Sequence, residues 1–356
     1  MMDELFISHV QICAEAAYND TFLRSCIDEV YLTENVIIDK IVELGKKCID
    51  YIKGIIERIK NFFSNFINSI KATKATVKAA KEFADDIDNI SDEYWNTIFN
   101  EDFVNEMNEA MNQFYSQYSA FGEGYTELNE ASGSKVVYCV DYSPIFKMLS
   151  SIDFESKSGS PSRLAAQIND IIDKAKSGKD SKDLINIIDK YRAEAEQMEK
   201  MTIAQSGINL PSKYASYNIS DLDKALKLSI IDEAKKNKTA ISRKGDLKKY
   251  YTNLIQNDSD IKKIESVFNT LKDNADKLIS DISKINGKLN AIYKADHTLD
   301  KEVAAAARIF MNVSVHYISN YIKAYTTVLV LTQKAEKNGY AQYNTLVLGI
   351  KRKMKK

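Results

Sequence analysis

Ten apolar residues, Ile261, Ile264, Phe268, Leu271, Ala275, Leu278, Ile282, Ile285, Leu289 and Ile292, recur in alternating steps of three and four for more than four heptads. A strand would place its apolar residues every second position, so this spacing writes a helix with one continuous buried seam. Its length and regularity fit a coiled-coil contact better than a solitary surface helix. "KADHT" then interrupts the rhythm, and Thr298 stands where it can cap a new helix whose residues Leu299, Val303, Ala306, Phe310 and Val313 resume the 3–4 spacing. Two long helices joined by a short link predict an antiparallel hairpin over 259–335 with its tip near His297.

The same spacing governs the other end of the chain. Ile41, Leu44, Cys48, Ile52, Ile55, Ile59, Phe62, Phe66 and Ile70 form one stripe, and Val42, Ile49, Ile56, Phe63 and Ile70 widen it. One very long helix, or two nearly collinear ones, is expected from about Thr33 to Asn89. Gly45 and Gly54 are its weak points. An apolar arc this wide would drive aggregation if left open in water. Ile52, Ile55, Ile59, Phe62 and Phe66 are therefore expected to be a packing face, with Lys46, Lys53, Lys60 and Lys71 solvated.

Charge reverses after this helix. Nine basic residues against Asp50 and Glu57 lie between Gly45 and Lys81, then thirteen acidic residues and no basic one between Glu82 and Ser134. Trp95, Ile98, Met107, Met111, Phe114 and Tyr118 share a face of the acidic segment. Opposite charge and amphipathic length together predict that it folds back on the basic helix as an antiparallel pair.

Only three prolines occur, at 144, 161 and 211, so the long tracts on either side are helix-compatible. A composition of 44% apolar residues supports a sizeable core. The chain reads as all-α, an elongated multi-helix bundle with long coiled-coil-like helices and a small irregular or β insertion near 120–160. Four regions follow: 1–118, the basic then acidic helices; 119–160, the insertion, whose run Lys135–Tyr142 suggests a small hairpin; 161–244, a middle helical region; and 245–356, the C-terminal hairpin with its basic tail "KRKMKK". In the middle region Ser160 and Pro161 open one helix, another covers about Ser181–Ala204, and Ser220 with Asp223 resembles a capping box.

Chemistry is sparse. No phosphate-binding glycine loop, dinucleotide fingerprint, HExxH or GxSxG stands in the chain. His9, His297 and His316 are scattered, and no pair among Cys13, Cys26, Cys48 and Cys139 has CxxC spacing, so neither a metal site nor a disulfide framework is expected. Adjacent carboxylates such as Asp85 and Asp86, or Asp170 and Asp173, read as solvated helix faces. No catalytic residue and no cofactor is expected, and the chain reads as a non-enzyme. A net charge of −1, with only seven arginines among 49 basic residues, gives no global case for nucleic acid. The polar N-terminus is no signal peptide, which implies cytoplasmic synthesis. Ile309–Leu331 approaches a membrane span, but Asn312, His316, Asn320 and Lys323 would be costly in hydrocarbon.

The opening "MMDELFISHVQICAEAAYND", an acidic stretch and then "KIVELGKKCIDYIKGIIERIKNFFSNF" resemble helical virion proteins of large tailed bacteriophages with A/T-rich genomes. The likeness is one of pattern over about 80 residues, with no diagnostic motif. It implies a structural or internal virion component that acts by assembly, with itself or other virion proteins as partners. Two other readings stand beside it. One is a membrane-active helical protein, an ejected internal protein or a pore former. The other is a nucleic-acid organiser using Lys46–Lys81 and the tail.

Overall fold

The 3–4 repeats become helices over most of the chain. The structure, a computed structural model, describes residues 11–14, 38–76, 82–83, 86–116, 135–151, 161–176, 181–206, 208, 210–256, 258–296 and 301–355. The described residues are all-α apart from one two-stranded antiparallel sheet. In order the elements are α1 (Ile38–Thr76), α2 (Asp92–Ile98), α3 (Glu101–Ser116), β1 (Val137–Val140), α4 (Ser143–Ser150), α5 (Pro161–Lys176), α6 (Ser181–Glu199), α7 (Ser212–Ala215), α8 (Leu222–Lys236), β2 (Lys238–Ile241), α9 (Lys244–Gln256), α10 (Asp258–Asp296) and α11 (Lys301–Met354). Contacts divide the chain into two units, each assembled from three separate stretches. One gathers Met1–Phe62, Ile152–Asp223 and Ser266–Thr326. The other gathers Phe63–Ser151, Lys224–Glu265 and Thr327–Lys356.

In the first unit the early part of α1 meets α10 and α11. Gly45 lies against the side chain of Asn286 in α10, and the hydroxyls of Tyr51 and Ser319, the latter in α11, are 2.8 Å apart. The rings of Phe268 and Tyr325 pack with centroids 6.0 Å apart. These two residues lie at nearly equal distances along the chain from the 297–300 link, which is the pairing an antiparallel α10–α11 hairpin requires. The tip near His297 itself lies outside the described residues. Helices α5 and α6 pack together, joined by Arg163 and Gln167 reaching Glu194 at 3.2 and 2.8 Å. Lys288 of α10 reaches Asp173 of α5 at 2.8 Å. α6 ends at Glu199, short of the expected Ala204, because Thr202 leaves the helical path. It bridges Asn218, and both its N–H and its hydroxyl donate to Gln205 Oε1.

In the second unit the acidic segment is two helices rather than the single one its apolar face suggested. The chain bends at Phe99 and Asn100, and the Asn100 side chain accepts from Phe103 N–H at 3.0 Å, capping α3. The stacked rings of Trp95 and Phe99, 4.5 Å apart, hold the bend. β1 falls within the expected β-like run, but among the described residues it forms no local hairpin. Its partner is β2, about a hundred residues later, with Val137 opposite Ile241 and Val140 opposite Lys238. The expected hairpin return would fall in 117–134 or 152–160, outside the described residues.

α11 departs most from a stripe. From Val303 to Val347 none of its described side chains is exposed. Small residues such as Ala304, Ala306 and Ala307 permit close approach on every side. Two of its buried hydroxyls are satisfied within the helix: Ser314 donates to Phe310 C=O at 2.7 Å and Thr326 to Ile322 C=O at 3.0 Å.

Candidate functional site

The packing face of α1 is built as its spacing requires. Ile52, Ile55, Ile59, Phe62 and Phe66 are each no more than 3% exposed. Lys46, Lys53, Lys60 and Lys71 are exposed on the opposite side. At roughly 1.5–3 kcal/mol for each buried side chain, such a face dominates the surface ion pairs around it. The contacts that identify its cover run to later helices: Asn286 of α10 on Gly45, and in the second unit Gln333 of α11, which donates to Ser69 Oγ. The outer face is no continuous cationic strip. Lys46, Asp50, Lys53, Glu57 and Lys60 alternate in sign at helical spacing, all exposed, and Lys60 pairs with Glu57 at 3.4 Å.

The seam of α10 is likewise interior. Ile264, Phe268, Leu271, Ala275, Leu278, Ile282, Ile285 and Leu289 are buried, and Ile292, near the helix end, is half-buried. The side chain of Ile261 lies outside the described residues.

The acidic segment does find opposite charges, but on α9 and the end of α11. Lys244 pairs with Asp92 at 2.8 Å and Lys248 with Asp88. Arg352 pairs with Glu106 at 3.0 Å, Lys351 lies over the Phe83 ring, and the Tyr94 hydroxyl donates to the Met354 carbonyl. The basic C-terminal run to Met354 is therefore helix and is tied into the fold. Charge complementarity was legible in the sequence. The elements that supply it were not, because each cation lies far along the chain from its anion.

A polar constellation that the sequence reading missed closes the free edge of β1. In this register Cys139 and Asp141 face β2, and Asp141 N–H donates to Asn237 C=O at 2.9 Å. Val136, Tyr138 and Val140 turn the other way. Three side chains satisfy them. Asn108 of α3 accepts from Tyr138 N–H at 3.1 Å and donates to Val136 C=O at 3.0 Å, as a third strand would. Gln342 of α11 accepts from Val140 N–H at 3.0 Å and donates to the Tyr142 hydroxyl at 2.9 Å. Tyr250 of α9 donates to Val140 C=O at 3.2 Å. Asn and Gln at single helix positions carry no signal of such a role. Beneath the sheet the Cys139 thiol lies 3.9 Å from Met111 sulfur, and burial pushes its pKa up, so it stays a protonated thiol.

Elsewhere the titratable groups are arranged for packing. Burial raises the pKa of Tyr191 and, with Tyr321 beside it, of Tyr317. Tyr340 is raised first by burial, then by the neighbouring Glu336 carboxylate and Tyr251. His316 meets Asn320 Nδ2 through its Nε2 at 3.0 Å, beside a cavity of about 20 Å³ shared with Met198, Met201 and Tyr317. A larger groove of about 630 Å³ runs between the start of α5 and the end of α6, lined by Arg163, Glu194, Glu196 and Lys200. Its charges are matched internally, Arg163 with Glu194 and Lys200 with Glu196 at 4.0 Å. Among the described residues no three His, Cys, Asp or Glu side chains cluster to hold a metal ion, and no helix is long and apolar enough to cross a membrane. No family model, curated protein or solved structure matches this chain.

Proposed function

We propose that this chain is a non-enzymatic structural protein that acts by assembly, through helix–helix and coiled-coil contacts, as a component of a bacteriophage virion. The observation that supports assembly is the disposition of its long helices. Their apolar faces are committed to internal packing, while the outer face of α1 presents a ladder of alternating charges. Such a ladder pairs with a complementary helix surface and gives a polyanion no unbroken row of cations. The virion setting is supported by the resemblance of the N-terminal third. Partners are further copies of the chain or other virion proteins. Sedimentation velocity with negative-stain imaging tests the reading. Concentration-dependent, ordered oligomers that weaken in high salt are expected. A chain that stays monomeric at all concentrations and instead floats with anionic liposomes would overturn it.

A further inference from the structure

The two edges of the small sheet are treated differently. The β1 edge is filled by Asn108, Gln342 and Tyr250. On β2 the register turns the backbone of Ala240 outward, since it stands opposite Tyr138, whose own N–H points away from β2. Ala240 is exposed, and its N–H and C=O have no hydrogen-bond partner among the described residues. Just beyond, the edge is closed again: Ser242 C=O accepts from Trp95 Nε1 at 2.8 Å, and Ser242 N–H donates to Asp246. The open place is thus one outward residue, preceded by Lys238.

Charge around it is one-sided. Lys135, Lys236, Lys238 and Arg243 are exposed about the sheet, the last two on β2 or directly after it. Three of the nearby carboxylates are engaged within the protein. Asp246 accepts from the N–H groups of Ser242 and Arg243, Glu233 meets Lys236 and Asn237, and Asp92 holds Lys244. Lys135 and Arg243 have no ion-pair partner among the described residues.

We propose that the outer edge of β2 takes one extended, acidic segment of a partner protein by strand addition. The Ala240 N–H and C=O form a paired set of backbone hydrogen bonds with it, and Lys238 and Arg243 flank its carboxylates. This is a contact through the sheet, independent of the helix-mediated assembly above.

The test uses the full chain and a capped, fluorescent hexapeptide alternating Glu and Val, with its Lys–Val counterpart as control. Binding is read by anisotropy, and hydrogen exchange is followed across 237–243. Saturable binding of the Glu–Val peptide with slowed exchange at 238–240 is expected. Ala240→Pro removes only an N–H that the sheet does not use. It should leave the thermal midpoint near wild type and weaken binding at least tenfold. If that variant misfolds, Arg243→Glu serves in its place and should also weaken binding at least tenfold. Unchanged exchange at saturating peptide, or full affinity in a folded Ala240→Pro protein, would overturn the proposal. So would equal affinity for the Lys–Val peptide, displacement of the acidic peptide by single-stranded oligothymidylate, or a dimer lost in Ala240→Pro, which would make a second copy the occupant.

Discussion

Two glycines of α1 show how one residue type carries opposite meanings. A Cβ at Gly45 would collide with the side-chain amide of Asn286, standing 2.6 Å from its Cγ, whereas nothing lies within 4 Å of one at Gly54. Asn286 is buried, so its amide cannot simply swing into water. Alanine in place of a helical glycine gains about 1 kcal/mol in propensity. At Gly54 that gain is unopposed, and Gly54→Ala should raise stability by about 0.5–1 kcal/mol in urea melts. At Gly45 the clash wins, and Gly45→Ala should lose about 1–3 kcal/mol. The cycle with Asn286→Ala distinguishes steric conflict from a general effect. The double variant should recover most of the loss, and additive losses would contradict the close approach. From the sequence both glycines read only as weak points. Their difference depends on a residue some 240 positions away.

At the level of elements, the 3–4 spacing made α1 and α10 legible because an amphipathic helix records its buried face in its own sequence. Leu278 lies fully buried in that seam, and Leu278→Asp should cost about 3–5 kcal/mol by burying an unpaired carboxylate. An unchanged thermal midpoint would remove the seam. α11 was harder to read. Its near-continuous apolar tract signals burial, but a helix enclosed on all sides has no stripe, so periodicity says little about its neighbours. β2 was invisible for another reason: of "KTAI" only Ile241 is buried, leaving no alternation to detect. The side chains that cap β1 are likewise tertiary facts. Gln342→Leu should leave Val140 N–H without its acceptor, costing about 1–3 kcal/mol for the orphaned group. The local consequence is specific: amide exchange at Val140 should accelerate while that of Cys139, bonded toward β2, stays slow.

For the molecule as a whole, the buried phenols set an alkaline limit. Tyr191 and Tyr317 in one unit, and Tyr340 in the other, are each held above the ordinary tyrosine range by burial. The sign follows directly. An acid whose folded pKa is raised keeps its proton while the unfolded chain, titrating near 10, gives its proton up. The unfolded state then binds fewer protons, so the phenols' contribution is constant below about pH 10 and is lost as the pH rises beyond it. Urea midpoints should begin to fall above about pH 8.5, where the thiol of Cys139 ionises in the unfolded chain but is held protonated by burial in the fold, and should fall more steeply above about pH 10 as the phenols join it. Tyr191 isolates the effect, because its hydroxyl is buried without a hydrogen-bond partner among the described residues. Tyr191→Phe removes an ionisable group and an unsatisfied one together. It should match or slightly exceed wild-type stability at neutral pH, and above pH 10 it should lose less. If its alkaline slope equals that of the wild type, Tyr191 ionises in the folded protein as freely as in the unfolded chain, and its buried placement is wrong.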